Sequence, residues 1–62
     1  AGEAIKHFRL ALQQNPKYTL AYVQLSDLYV DLKQPDEARK ILQSGLKVKP
    51  NSRTLQRRLE KL

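Results

Sequence analysis

YTLAYVQLSDLYVDLKQPDEARKILQSGLKVKP, residues Tyr18 to Pro50, is the stretch that decides the fold. Apolar residues recur in it at helical spacing on both sides of a polar break at 33–35. Pro35 suits the first turn of a helix, where its missing N–H has no partner to lose. The stretch therefore predicts two helices, over about 19–32 and 35–48. The first carries apolar residues on more than one face, so we expect other helices to contact it from two sides.

Similar patterns flank this stretch. Residues 3–14 have an apolar stripe at helical spacing and end at Pro16, which cannot continue a helical hydrogen-bond ladder. After Pro50, the side-chain oxygen of Asn51 or Ser52 can cap a fourth helix, which has Leu55, Leu59 and Leu62 on one side. Strand patterns and Gly-rich loops are absent from the sequence. The prediction is an all-α chain of about four helices.

The chain matches itself at an offset of 34 residues. Seven of the 28 comparable pairs are identical, where ordinary composition gives roughly two. The identical pairs are Glu3/Glu37, Ala4/Ala38, Lys6/Lys40, Leu12/Leu46, Pro16/Pro50, Leu25/Leu59 and Leu28/Leu62. A period in this range predicts a stacked array of antiparallel helix pairs.

The residues at the repeating positions resemble those of the tetratricopeptide repeat family, whose unit is two antiparallel helices. They are Tyr22, Leu25, Ser26 and Tyr29 in the first helix and Ala38, Leu42, Gly45 and Pro50 in the second. The P-D-E-A sequence at 35–38 also matches the family's entry to its second helix. The resemblance implies a fragment of an α-solenoid. Residues 1–16 would be the second helix of a preceding repeat, 17–50 a complete repeat, and 51–62 a terminal or capping helix.

Small residues mark the places where helices should approach each other. Ser26, Ala38 and Gly45 suit an interaxial distance of about 8–10 Å. A glycine inside a helix costs up to about 1 kcal/mol relative to alanine, so we expect close packing at Gly45. Gln56 and Glu60 stand where the complete repeat has Tyr22 and Ser26. This departure favours a terminal cap with a polar outer face.

The resemblance further implies a scaffold for protein–protein interaction that binds a peptide or protein on a concave face. Carried over residue by residue, that face consists of Leu20, Val23, Gln24, Asp27, Val30, Asp31, Arg57, Arg58 and Lys61. For Leu20, Val23 and Val30, packing against a neighbouring helix is an equal alternative. The clamp with which some members hold a chaperone's terminal carboxylate is incomplete, because Asp27 and Val23 replace an amide and a lysine. Arg57 and Arg58 can still pair with an acidic peptide.

The formal net charge of +6 is concentrated at one end of the chain. Residues 38–62 carry eight bases and one acid, whereas residues 1–37 carry four bases and five acids. A solvated helix face and an acidic partner both fit this asymmetry. The alternative function is therefore a basic C-terminal helix that binds nucleic acid or another polyanion through Arg53, Arg57, Arg58 and Lys61. Base stacking is not expected, because no aromatic residue lies among these bases.

Catalytic and metal-binding chemistry finds little support. The chain has no cysteine, and His7, its only histidine, has only Glu3 nearby as a carboxylate. Asp27 and Asp31 share a helix face, but catalysis or cation binding requires further groups that converge on them. We predict no enzyme activity, no metal and no cofactor.

The apolar stripe of the first helix predicts contact between copies of the chain. Ile5 and Phe8 lack the helix that would cover them, which predicts self-association or swapping of terminal helices at high concentration.

The chain begins without Met, which suggests a processed product or a fragment. It contains neither a signal-peptide pattern nor the apolar run of about 18 residues that a membrane helix requires. We expect a soluble protein whose cellular compartment the sequence does not indicate, with any targeting segment outside this chain.

Overall fold

Four helices account for most of residues 2–62, the part of the chain that the computed structural model describes. They are α1 (Gly2–Gln14), α2 (Thr19–Asp31), α3 (Pro35–Val48) and α4 (Arg53–Glu60), and these residues contain no strand. α2 packs on all three other helices, whereas in residues 2–62 the backbone of α1 comes close only to that of α2. The Cα atoms extend over 29 × 27 × 13 Å, a slab two helices thick. The all-α prediction is confirmed, and α2 is the central element.

Each break between helices has an identifiable cause. Pro35 opens α3, and the Ser52 hydroxyl caps α4 by accepting a hydrogen bond from the Leu55 N–H at 3.4 Å. α2 ends differently, because Lys33 adopts a positive φ of 60°. The Gln34 N–H then bonds the Tyr29 carbonyl at 2.8 Å, which closes a Schellman turn. Glycine is the usual residue at this position, and a non-glycine residue there costs roughly 1 kcal/mol.

Equivalent hydrogen bonds occur in turns that lie 34 residues apart. The Asn15 N–H bonds the Ala11 carbonyl at 2.8 Å, and Lys49 bonds Gly45 at the same distance. Tyr18 bonds Asn15 at 3.1 Å, and Ser52 bonds Lys49 at 3.1 Å. A side chain then reaches back to each proline carbonyl: Tyr22 Oη donates to Pro16 and Gln56 Nε2 to Pro50, both at 2.9 Å. These bonds support the division into 1–16, 17–50 and 51–62, which stays a prediction.

The core consists of two adjoining clusters. One contains Tyr22, Val23, Leu42 and Leu55, and the other contains Leu25, Tyr29 and Ala38. Ser26, only 2% exposed, lies between apolar neighbours because its hydroxyl donates to the Val23 carbonyl at 2.7 Å. Leu46, which was also expected to pack between helices, is half-buried. The other residues with that expectation are buried: Tyr22, Leu25, Ser26, Tyr29, Ala38, Leu42 and Gly45.

Gly45 lies where α2, α3 and α4 meet. A Cβ atom added to it would be 2.8 Å from Leu55 Cδ1 and 2.9 Å from Tyr22 Cγ. Carbon atoms pack at about 3.5–4.0 Å, so neither contact is possible without movement. The prediction that close packing explains this glycine is confirmed.

The expectation that Ile5 and Phe8 are uncovered is wrong. Both side chains are half-buried and pack against the cluster of Leu25, Tyr29 and Ala38, because α1 turns this side onto α2. The large apolar residues that are exposed are instead Leu10, Tyr18, Leu20, Val30 and Leu32. Self-association stays a prediction, and these residues offer it exposed apolar surface.

Candidate functional site

A groove runs between α2 and α4, with α3 beneath it. Its volume is about 130 Å³. The residues that line this α2–α4 groove are Ser26, Asp27, Val30, Leu42, Arg58, Lys61 and Leu62. Leu42 and Ser26 are buried and form the floor, while charged side chains from both walls form the rim. The groove can therefore hold an apolar group between charged neighbours.

An ion pair joins the two walls. Arg58 Nη1 donates to Asp27 Oδ1 at 2.9 Å, and each side chain is a little under half exposed. Pairs of this exposure contribute roughly 0.2–1 kcal/mol, so this one orients the side chains more than it stabilises the fold. The other two ion pairs among the described residues join neighbouring turns of α3. Asp27–Arg58 thus fixes which charge each wall presents.

The local sequence explains why these side chains face the groove. Leu55, which is 0% exposed, anchors α4 in the core. Arg58 follows it by three residues, so it lies on an adjoining side of the same helix. Leu62 follows just beyond the end of α4 at Glu60. On α2, Ser26 and Asp27 are consecutive, and Val30 follows one turn later with 44% of its surface exposed. Burial of Leu55 therefore sets the direction in which the groove's charged rim points.

The predicted partner-binding residues divide into three groups. Asp27, Val30, Arg58 and Lys61 line the groove. Leu20, Gln24, Asp31 and Arg57 are exposed but lie outside it. Val23 is 6% exposed and packs in the core, so it offers a partner almost no surface. Sequence reasoning did not include Ser26, Leu42 and Leu62 in this site. For Leu62, its spacing of four residues from Arg58 was an available signal.

The histidine and the carboxylates outside the α2–α4 groove are dispersed. His7 and Asp31 are exposed, while Asp36 pairs with Arg39 at 3.3 Å and Glu37 with Lys40 at 3.6 Å. Within residues 2–62, His, Asp and Glu form no group of three that could hold a metal ion. Burial raises the pKa of the Tyr22 hydroxyl above its ordinary value, but this part-buried group donates to the Pro16 carbonyl in the turn before α2.

None of the helices in residues 2–62 has the length and apolar character needed to cross a membrane.

Comparison with known proteins gives one match. The family model described as tetratricopeptide repeat matches residues 1–62, the full length of the chain. Neither a curated protein nor a solved structure matches. The family match agrees with the helix pairs, the buried small residues and the hydrogen bonds that recur every 34 residues. The chain belongs to the tetratricopeptide repeat family.

Proposed function

We propose that this chain is a protein-interaction module that binds a peptide segment of a partner protein in the α2–α4 groove. Tetratricopeptide repeats are generally protein–protein interaction modules. The family is a non-enzymatic repeat scaffold, which supports a binding role here rather than a catalytic one. The lining of this groove supports the proposal, because it combines an apolar floor with Asp27, Arg58 and Lys61 on the rim.

The charges of the rim favour a partner with an acidic group. Asp27 is already paired with Arg58, whereas Lys61 has no carboxylate within 4.0 Å among the described residues. Arg58 uses one of its five N–H donors on Asp27 and keeps others for a second carboxylate. A peptide with a carboxylate beside an apolar side chain complements both the basic groups on the rim and the apolar floor.

Paired substitutions test the groove. Peptides are selected for binding to the whole chain by display, and the dissociation constant of the best is measured by fluorescence anisotropy. Val30→Ser removes an exposed apolar surface inside the groove, and Leu10→Ser removes one on α1, outside it. We expect Val30→Ser to weaken binding about tenfold, since burying a side chain of this size contributes about 1.5–3 kcal/mol.

The Leu10→Ser variant should bind as the unchanged chain does, and Lys61→Ala should lower the affinity for an acidic peptide about threefold. Circular dichroism checks that helicity is retained. Equal affinities for the Val30→Ser variant and the unchanged chain, or a loss confined to Leu10→Ser, would place the site elsewhere.

The alternative that α4 binds nucleic acid or another polyanion has weaker support. One of the four bases predicted to bind it, Arg58, is paired with Asp27, and α4 has only eight residues. Titration with a duplex oligonucleotide separates the two functions, because affinity through phosphates falls steeply with salt. Duplex binding of that kind, with no peptide selected, would favour the alternative.

A further inference from the structure

A second groove lies on the other side of α2, between α1 and α3. In residues 2–62, no Cα atom of α1 comes within 8 Å of a Cα atom of α3, so the side of α2 between them is the floor of an open trough. The volume of this α1–α3 groove is about 330 Å³. Its lining consists of Arg9, Leu12, Gln13, Tyr22, Leu25 and Ile41. That volume lies in the range of about 300–1,000 Å³ that ligand sites occupy, whereas the α2–α4 groove is smaller.

Apolar side chains form the walls and floor of this groove. Leu12 on α1 and Ile41 on α3 are half-buried, and both pack against the core. Leu25 and Tyr22 are buried beneath them. A large apolar side chain that entered between Leu12 and Ile41 would leave water on all sides but one. The groove is thus suited to an aromatic or long aliphatic residue.

Arg9 supplies an unbalanced positive charge at the rim. Its Nη2 donates to Tyr29 Oη at 2.6 Å, which fixes the guanidinium against α2. No carboxylate lies within 4.0 Å of this guanidinium in the described part of the chain. Four of its five N–H donors remain for other acceptors. Because the guanidinium fork matches a carboxylate, an acidic group is the complementary neighbour.

We propose that the α1–α3 groove binds a segment of a partner protein that places a large apolar residue beside an aspartate or glutamate. The groove is open along one side, so it cannot enclose the 70–90% of surface that small ligands usually bury. A protein segment can lie along it instead. A second copy of the chain is disfavoured as the occupant, because two chains of net charge +6 repel each other. This site is independent of the function proposed for the α2–α4 groove.

Three peptides test this proposal on the whole chain. Acetylated and amidated heptapeptides contain Phe-Glu-Glu, Phe-Gln-Gln or Ala-Glu-Glu between Gly-Ser and Ser-Gly ends. Amide chemical shifts are followed in ¹⁵N spectra. We expect the Phe-Glu-Glu peptide to move the signals of Leu12, Gln13 and Ile41, and both other peptides to bind at least threefold more weakly. Arg9→Gln should weaken the Phe-Glu-Glu peptide about threefold to fivefold, as loss of a partly exposed ion pair does.

Matched variants separate charge from structure. Arg9→Lys keeps the charge and should restore part of the affinity. Tyr29→Phe removes the bond to Arg9 but keeps its charge, and it should leave binding within about twofold. Lys47→Gln removes an exposed base outside both grooves and should have no effect. The proposal is overturned by equal binding of the three peptides, by no binding, by shifts confined to Asp27 and Arg58, or by concentration-dependent shifts without peptide, which would indicate a second copy.

Discussion

The α2–α4 and α1–α3 grooves are built alike but differ in what joins their walls. Each lies between alternate helices, and the helix between them in sequence forms the floor: Leu42 of α3 in one, and Tyr22 and Leu25 of α2 in the other. α2 and α4 touch, and the Asp27–Arg58 ion pair spans them. Within residues 2–62, no Cα atom of α1 comes within 8 Å of a Cα atom of α3. The joined pair encloses about 130 Å³ and the open pair about 330 Å³.

The difference follows from how the terminal helices are anchored. α4 has one fully buried anchor, Leu55, whereas no residue of α1 is fully buried in the part of the chain that the structure describes. Segments with fewer buried apolar contacts open more easily. The width of the α1–α3 groove therefore depends on the more weakly held helix. The α2–α4 groove is the better defined of the two, and the α1–α3 groove is the more adaptable.

The largest expected loss of stability comes from substitutions in the floors of the two grooves. Leu42→Ala and Leu25→Ala each remove a side chain that is at most 1% exposed, and such changes cost about 2–5 kcal/mol. This approaches the whole stability of a domain of 62 residues. Urea unfolding followed by circular dichroism measures it. Leu20→Ala, at a leucine that is 51% exposed, is the control and should cost less than about 0.5 kcal/mol. A floor variant as stable as this control would show that its groove has no core beneath it.

A smaller effect is expected at Gly45, which touches the floor of one groove and a wall of the other through Tyr22 and Leu55. Gly45→Ala gains up to about 1 kcal/mol in helix propensity. It forces apart atoms 2.8 and 2.9 Å from the new Cβ, and overpacking of this kind costs about 1–3 kcal/mol. We expect a net loss of stability, with amide hydrogen exchange rising more in α4 than in α1.

Ser44→Ala, at the exposed neighbouring position, controls for helix propensity. A more stable Gly45→Ala variant, or faster exchange in α1 alone, would contradict the close contact between α3 and α4.

The helices were predictable from the sequence because their causes are local. Periodic apolar residues, Pro35 and the Ser52 cap act within a few positions of one another, and the predicted boundaries of α1, α2 and α3 agree with the structure to within one residue. The turn at Lys33 is different. Its positive φ has no signature in a lysine, because a residue of this type rarely adopts that conformation.

The grooves were only partly predictable, since they depend on how distant helices are placed. α2 is apolar on more than one face, so its periodicity cannot tell Val23, which is 6% exposed, from Leu20 and Val30, which are 51% and 44% exposed. The Asp27–Arg58 pair joins residues 31 positions apart, and only the packing of α4 on α2 brings them together. The α1–α3 groove arises because the backbones of α1 and α3 lie apart in residues 2–62, and the residue pattern does not indicate that separation.

The smallest effect concerns the floor of the α1–α3 groove, where Tyr22 also holds the preceding turn by donating to Pro16. Tyr22→Phe keeps the ring that lines the groove and removes one hydrogen bond, so the free energy of unfolding should fall by about 0.5–1.5 kcal/mol. Burial raises the pKa of the Tyr22 hydroxyl in the folded state. The unfolded chain therefore loses this proton first, so the contribution of Tyr22 to stability should be constant below about pH 10 and fall as pH rises further.

Urea unfolding at a series of pH values measures both effects, and Tyr18→Phe, at an exposed tyrosine, is the matched control. Stability should fall less at alkaline pH in the Tyr22→Phe variant than in the unchanged chain. The Tyr18→Phe variant should show the same fall as the unchanged chain. The equivalent bond before α4 comes from Gln56, which does not ionise in this range. High pH should therefore loosen the turn between α1 and α2 before the turn between α3 and α4, and so widen the α1–α3 groove while the α2–α4 groove keeps its shape. Loosening of both turns at the same pH would show that the two grooves are not held independently.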